Sequence, residues 1–402
     1  MISRDRQFYK FAAYGFLKNL RFFEPFLILF FRESGLSFFQ IGILFTVREA
    51  VTNITEIPTG LFADSVGRRF TMVFSMLAYI LSFILFFFLK SYLWFIVAMC
   101  LFGLGESLRS GTHKSLILSH LSITGKEEQK VEYYGLTRSF SQMGSAVNAL
   151  IAAGLVFFYG DYRIVFIAAL IPYVANLINL ISYPKALDDV IKKKYKSKHS
   201  LLSVFKEAGN IRIYLNSAVF DAFFKTVKEY LQPILSALAL SLPFLLNFDS
   251  EKRTSVIVGV VYFFIYILTS YSSKHSYVFL KKINNMSRAL NMTFLIGVAV
   301  ILMAGFFKAV SVNSIPVFLF LVIFVLQNLR RPVNVSLISD IIPAEKLSTG
   351  LSVESQLKTL LIALFSPLLG FLADKMGVGW ALFLFSGVFL VIFPVIRLKR
   401  RF

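Results

Sequence analysis

Two arginines, Arg109 and Arg330, stand in the middle of long apolar runs. Each is preceded by a small polar residue and Leu (Ser107-Leu108 and Asn328-Leu329), and six residues after each comes the same tripeptide, Ser115-Leu116-Ile117 and Ser336-Leu337-Ile338. A cation at bilayer depth costs roughly 2.5–3.5 kcal/mol on insertion scales, so its retention in both copies calls for a reason. The repetition points to a site formed where two repeats face one another. Further bases sit inside apolar stretches: Lys18, Arg21, Arg48, Lys114, Arg138, Lys225, Lys228, Arg331 and Lys358. The acids in such stretches are Glu24, Glu49, Glu56, Glu106, Asp221, Glu229 and Glu354. Arginine offers a planar donor fork that matches phosphate or carboxylate, and lysine adds a point charge. With more bases than acids, the set is suited to receive an anion. The competing reading is internal pairing, because Glu24 and Glu106 lie three residues from Arg21 and Arg109, Glu229 adjoins Lys228, and Asp221 lies four residues from Lys225.

These residues must be positioned by membrane helices. The 402-residue chain is 57% hydrophobic and 16% charged, more apolar than a soluble chain of this length can bury. Its 46 phenylalanines suit lipid-facing helix surfaces. About 20 apolar residues cross the hydrocarbon as a helix. Twelve such spans are read at 8–32, 38–62, 70–89, 91–119, 131–158, 163–183, 212–240, 254–273, 288–308, 314–341, 347–373 and 378–397. Spans 1, 7 and 10 are interrupted by charge and proline and should score weakly as hydrophobic segments. Span 2 opens on the capping pattern Ser37-Phe38-Phe39-Gln40. The polar, basic first ten residues and the long apolar stretch after them do not read as a cleavable signal.

Basic residues gather in alternate loops, with Arg68, Arg69, the 185–212 segment, Lys281, Lys282 and the tail Arg397–Arg401 on one side. Both termini are therefore expected in the cytoplasm, in the inner membrane of a bacterium. The same alternation explains the net charge of +20 without nucleic acid. The chain divides into a bundle at 1–183, a basic linker at 184–211 and a second bundle at 212–402. Within the linker, the run Lys192–Lys198 followed by Leu201–Phe205 reads as a short interfacial helix on an anionic leaflet. Span 1 carries Phe16-Leu17-Lys18-Asn19-Leu20-Arg21 before Pro25, and span 7 carries Phe223-Phe224-Lys225-Thr226-Val227-Lys228 before Pro233, so the two halves repeat in parallel.

One loop carries a recognisable pattern. Gly60-Leu61-Phe62-Ala63-Asp64-Ser65-Val66-Gly67-Arg68-Arg69 follows span 2 and resembles the signature loop of the major facilitator superfamily. In it, glycine permits a tight turn and close helix approach. Asp64 can face a helix N-terminus, and Arg68 and Arg69 hold the loop on the cytoplasmic side. The resemblance implies an all-α membrane protein, with twelve transmembrane helices in two pseudo-symmetric six-helix bundles. It also implies that Gly60, Asp64, Gly67, Arg68 and Arg69 form a gate latch against the eleventh helix rather than a substrate site. The loop after span 8 lacks a second copy, and Gly370-Phe371-Leu372-Ala373-Asp374 looks like one but lies after span 11. Span 5 holds Gly144 and Gly154 without a Gly-Pro pair, so the drug/proton antiporter motif is absent.

By the same resemblance, spans 1, 4, 7 and 10 line a central cavity. Each carries a cation near its midpoint: Arg21, Arg109, Lys225 with Lys228, and Arg330. At 3.6 residues per turn, Asp221, Lys225, Lys228 and Gln232 share one face of span 7, and Gln327, Arg330, Arg331 and Asn334 share one face of span 10. The substrate set expected from this reading is Arg21, Arg109, Lys225, Lys228, Gln232, Gln327, Arg330, Arg331 and Asn334. The acids nearest to them, Glu24, Glu106, Asp221 and Glu229, are the candidates for carrying a coupling proton. His113 shares a face with Glu106 and Arg109 and is read as a helix–helix hydrogen bonder. No Cys/His/Asp cluster has metal spacing, no glycine loop cradles phosphate and no nucleophile–base set appears, so neither a cofactor, a metal nor enzymatic activity is expected. The resulting expectation is a monomeric, proton-coupled secondary transporter of a small organic or phosphorylated anion, in contact with membrane lipids. The rival is a multidrug or amphiphile exporter, for which Phe22, Phe23, Phe223, Phe224 and Tyr230 would supply an aromatic cavity.

Overall fold

The computed structural model describes residues 5–110, 112–189, 211–243, 246–283, 285–341 and 347–399. The basic run Lys192–Lys198 and the interfacial helix expected after it lie outside these residues. Among the described residues the regular structure is helical, with no strand. Eight segments are long and apolar enough to cross a membrane, and the last of them, Glu354–Ile396, holds both span 11 and span 12. Those two meet at Gly377, whose φ of 80° leaves the right-handed helical region and bends the continuous Leu347–Ile396 stretch.

Spans 1, 2 and 7 fall short of that criterion. Span 1 is split into Arg6–Lys18 and Leu27–Glu33, with a short 3-10 turn at Glu24–Phe26 between them. Span 7 runs as Ile211–Val227, a 3-10 turn at Lys228–Tyr230, and Leu231–Ser241. Span 2 is one helix, Phe38–Val66, but carries Arg48, Glu49 and Glu56 within it. The expectation for span 10 is corrected: Ser314–Ile341 contains Pro332, yet an 18-residue stretch within Ser314–Ile338 is apolar enough to qualify. Span 4 is also broken, into Tyr92–Arg109 and Thr112–Ile123, which the sequence reading treats as one helix.

Two compact units emerge. Unit 1 takes the described residues of Met1–Phe30 and Val47–Ser197, and unit 2 those of Phe31–Thr46 and Lys198–Phe402. The start of span 2 thus groups with the second unit rather than the first. The reason lies in its contacts with span 11. Thr46 donates to the carbonyl of Ala363 at 2.7 Å, and both carboxylate oxygens of Asp374 accept from the first amides of span 2, Phe38 N at 2.8 Å and Phe39 N at 2.7 Å. Those amides are unmatched within their own helix, and a carboxylate satisfies them and the positive end of the helix together. The signature-like segment Gly370–Asp374 is therefore a cap for span 2. A Cβ at Gly370 would overlap the carbonyl of Phe38.

Gly370→Ala is expected to lower thermal stability in detergent, because overpacking costs about 1–3 kcal/mol. Gly154→Ala, where an added Cβ meets nothing within 4 Å, should be neutral or mildly stabilising. Equal melting temperatures for the two variants would contradict the close approach.

Within unit 1, span 3 packs along spans 4 and 6, and span 1 along spans 5 and 6. The core between them is aromatic. Phe23 stacks on Phe166 at 5.6 Å, Phe30 meets Phe166 edge-on at 4.7 Å, and Tyr79 meets Phe102 at 5.1 Å. Such pairs contribute about 0.5–1.5 kcal/mol each beyond simple burial. Unit 2 repeats the device with Phe223, Phe385 and Phe389. The assignment of phenylalanine to lipid-facing surfaces holds only in part: Phe158 and Phe318 are exposed, but Phe23, Phe30, Phe83 and Phe223 are buried. Water does not drive helix association inside a bilayer, so close packing of large rings takes over that role.

Candidate functional site

The charges of unit 1 collect where helices stop. Span 1 ends its first helix at Lys18, which frees backbone groups at membrane depth. A neighbour satisfies one of them, Tyr173 donating to the Lys18 carbonyl at 3.2 Å, and the Asn19 side chain ties the break to span 5 by donating to the Ser141 carbonyl at 2.6 Å. Broken backbone is tolerated there because protein surrounds it. The break carries Arg21 out toward span 4, where its guanidinium reaches Glu106 Oε1 at 2.5 Å. The other carboxylate oxygen of Glu106 receives Arg109 at 2.5 Å. Arg109 lies in the last turn of its own helix, where the negative end of the dipole favours a cation.

One carboxylate is thus clamped between two guanidiniums. Aromatic groups complete the surroundings. Arg109 Nε donates to the Tyr79 hydroxyl at 3.3 Å, and the Arg21 guanidinium lies 5.6 Å from the Phe102 ring and 5.9 Å from that of Tyr79. Lys18 Nζ is 5.7 Å from the Tyr14 ring, which stacks on His113 at 3.9 Å. Among the described residues no carboxylate is hydrogen-bonded to Lys18. The three ion-pair side chains keep about a fifth of their surface open, 19%, 20% and 23% for Arg21, Glu106 and Arg109. Chemically this is an anion-receiving corner with one resident anion, which a carboxylate or phosphate could replace.

His113 is corrected: its Nε2 is buried without a hydrogen-bond partner, and its ring is held by stacking on Tyr14 and an edge contact with Phe11.

Unit 2 handles its charges differently. Arg330 is 1% exposed. Its Nη1 donates to the Leu290 carbonyl and to Thr293 Oγ1 at 3.1 Å, and its Nη2 to the Asn216 carbonyl at 3.1 Å and Asn216 Oδ1 at 2.5 Å. Its guanidinium lies 4.5 Å from the Phe220 ring. Both terminal nitrogens are therefore occupied by acceptors on spans 7 and 9. Arg331, next in the chain, is exposed. Asn334 donates to Ser217 Oγ at 2.5 Å, and Ser217 donates to Glu354 at 2.9 Å, so a polar relay links spans 10, 7 and 11. Gln327 donates to Asp221 at 2.9 Å. Lys228 pairs with Glu229 at 3.2 Å, and Gln232 donates to Glu229 at 3.3 Å. Lys225 is exposed while Gln232 is buried. Their shared face is an ideal-helix expectation, and the 3-10 turn at Lys228–Tyr230 interrupts that helix between them.

The profile of the Major Facilitator Superfamily matches residues 14–355. The chain belongs to that superfamily. A Bacillus subtilis (strain 168) protein, the uncharacterized MFS-type transporter YxaM, is 26% identical over 410 residues, covering 97% of this chain and 94% of its own. Among solved structures, the nucleoside transporter NupG superposes with a TM-score of 0.79 at 11% identity, covering 98% of each chain. A POT family transporter in complex with a thioalcohol-conjugated peptide superposes with a TM-score of 0.69 at 14% identity, covering 97% of this chain and 96% of its own. The protein is a polytopic membrane transporter with the twelve-helix, two-bundle fold of the superfamily, and not an enzyme.

The superfamily's signature loop takes a definite form in unit 1. Gly67 has φ 110° and opens the helix of span 3, and an added Cβ there would sit 2.9 Å from the Asp188 carboxylate. Glycine is thus required twice over, by the dihedral and by the neighbour. Gly60 is corrected: it lies inside the span 2 helix, where an added Cβ would meet nothing within 4 Å, so the turn belongs to Gly67 alone. Asp64 pairs with Arg68 at 3.6 Å. Arg69 is buried, donating to the Tyr183 carbonyl at 2.8 Å while its own amide donates to Asp188 at 2.8 Å. These bonds fix the loop to the end of span 6 and the short helix Ala186–Asp189.

Sequence reasoning missed the tyrosines of the charged corner, Tyr14, Tyr79 and Tyr173. It also missed Asn216 and Thr293, which hold Arg330. A usable signal existed: each is a hydroxyl or amide in an otherwise apolar span, and such groups need partners at depth.

Proposed function

We propose that this transporter carries a small organic or phosphorylated anion by alternating access, with Arg21 and Arg109 as its anion-binding residues and Lys18 as an added positive charge beside them. The observation that carries the reading is the Arg21–Glu106–Arg109 clamp, partly open and placed where spans 1 and 4 are broken. An incoming anion takes the place of Glu106 on one guanidinium. Glu106, relieved of one cation, then takes up a proton, and the exchange links substrate to proton movement. In this reading Arg330 is a brace between helices, and the polar set Lys225, Lys228, Gln232, Gln327, Arg331 and Asn334 of unit 2 is a second candidate for substrate contact. Asp64, Arg68 and Arg69 act as a gate latch. Both termini face the cytoplasm across a bacterial inner membrane, and one chain suffices.

The testing experiment is a thermal-shift screen of the purified chain against small carboxylates, phosphorylated metabolites and lipophilic cations. A ligand at 100 times its Kd stabilises the native state by about 2.7 kcal/mol. Stabilisation by anions, lost in Arg21→Ala, is the expected result. Stabilisation by lipophilic cations alone, unchanged in that variant, would favour the amphiphile exporter.

A further inference from the structure

A second cationic site lies in unit 2, away from the clamp. A cavity of about 600 Å³ opens where span 7 begins, span 9 begins and span 12 ends. Among the described residues four cations line it, Arg212, Arg288, Arg397 and Lys399, and no carboxylate does. Four like charges around one space repel each other, and nothing in the lining offsets them. The remaining wall is apolar: Phe393 is buried, while Met292, Leu295 and Pro394 are exposed on the outer surface of the bundle. The cavity therefore joins a basic rim to a surface fit for hydrocarbon.

Two features make this a built site. The first is the anchoring of the chain after span 12. The Asn291 side chain donates to the Leu398 carbonyl at 2.9 Å and accepts from the Leu398 amide at 3.0 Å. That two-point grip, with Leu398 itself buried among Ile213, Leu290 and Leu337, sets Arg397 and Lys399 on either side of a fixed residue. Asn216 adds a third tie by donating to the Ile396 carbonyl at 3.2 Å. The second feature is Ser287, which lines the cavity, is 1% exposed and has a hydroxyl with no partner. A buried hydroxyl without a partner is costly, and a ligand oxygen would satisfy it.

We propose that this cavity binds the phosphate of an anionic phospholipid headgroup, with the acyl chains running along Met292, Leu295 and Phe393. Free phosphate shares the headgroup chemistry, but the apolar wall opening outward favours the lipid. On the positive-inside reading, the site faces the inner leaflet, where anionic lipid and juxtamembrane cations attract each other. Occupancy would tie the ends of spans 7, 9 and 12 together through the headgroup, neutralising charges that otherwise push them apart. The site is independent of the substrate clamp, and it can fail while the transport reading stands.

The test uses the full chain in neutral detergent. Melting temperature and bound mass by native mass spectrometry are read with phosphatidylglycerol, phosphatidylcholine or inorganic phosphate added. Phosphatidylglycerol is expected to bind and stabilise well beyond phosphatidylcholine. Removing two cations in Arg288→Gln/Arg397→Gln should weaken that binding about thirtyfold, since each cation near an anionic surface contributes roughly a fivefold step. The control Lys274→Gln/Lys281→Gln removes two cations outside the cavity lining and should leave binding unchanged. If the cavity variant folds poorly, Ser287→Ala in the otherwise intact chain serves as the second variant and should weaken phosphatidylglycerol without altering phosphatidylcholine. Equal losses in cavity and control variants would overturn the site. Equal stabilisation by inorganic phosphate would overturn the lipid assignment.

Discussion

Arg109→Ala should remove substrate binding, while Arg330→Met should remove stability. The two arginines occupy matching places in the repeat, yet their surroundings differ. Arg109 is partly open, and its partners are one carboxylate and one tyrosine hydroxyl. Truncating one member of a desolvated charge pair costs about 2–5 kcal/mol, which corresponds to a loss of affinity between roughly thirtyfold and several thousandfold. Substrate-induced stabilisation and uptake by Arg109→Ala should therefore fall below detection, with the ligand-free melting temperature moving only slightly. Arg109→Lys keeps the charge but loses the fork, and an intermediate affinity is expected.

Arg330 presents the opposite case. Its loss leaves the Asn216 side-chain oxygen without its donor in a dry interior and removes one donor each from the Leu290 and Asn216 carbonyls. Each buried group left unsatisfied costs about 1–3 kcal/mol. Methionine refills part of the volume and contributes no donor, so the ligand-free melting temperature should drop by many degrees. Whatever protein remains folded should bind substrate with near-normal affinity. Measuring Kd and melting temperature for both variants checks the contrast. Loss of affinity without loss of stability in Arg330→Met would return that arginine to the substrate site.

The membrane class, most of the twelve spans and the signature loop were legible in the chain because each rests on local pattern. Apolar length gives a span, and Gly67 with Arg68 and Arg69 gives the loop. What local pattern cannot give is the partner of a charge. Glu106 lies three residues from Arg109, and that pair follows from helical spacing. Its second cation, Arg21, is 85 residues away and arrives only because span 1 breaks after Lys18. Arg330 shows the limit most clearly. From its repeat with Arg109 it reads as a substrate ligand, and only the positions of Asn216, Leu290 and Thr293, contributed by two other spans, reveal its contacts. The same limit applies to Asp374, whose motif-like context concealed a cap on a helix more than 300 residues earlier. The division of spans 1 and 7 was partly foreseeable from charge and proline. The break of span 4 after Arg109 carries no proline, but the polar run Arg109-Ser110-Gly111-Thr112-His113-Lys114-Ser115 marks it.

Glu106→Gln should separate transport from its driving force. In the clamp, each of the two carboxylate oxygens of Glu106 holds an arginine, so any anion that enters must compete with it. If proton uptake by Glu106 is what releases a guanidinium for substrate, the amide fixes the neutral form permanently. Glutamine retains an acceptor oxygen but no charge, and it leaves Arg21 and Arg109 free to engage substrate. Binding should then be as tight as in the wild type or tighter, and it should no longer weaken as the pH rises. Exchange of internal for external substrate needs no net proton movement and should continue. Uphill accumulation driven by a pH gradient requires the proton to load and unload, and it should be lost. In proteoliposomes the variant should therefore equilibrate labelled substrate without concentrating it, and a protonophore should leave its uptake unaffected. Glu24→Gln, Asp221→Asn and Glu229→Gln serve as comparisons. Retention of pH-driven accumulation by Glu106→Gln, with loss in one of the other three, would move the coupling site to that residue. Retention in all four would remove proton coupling through these acids altogether.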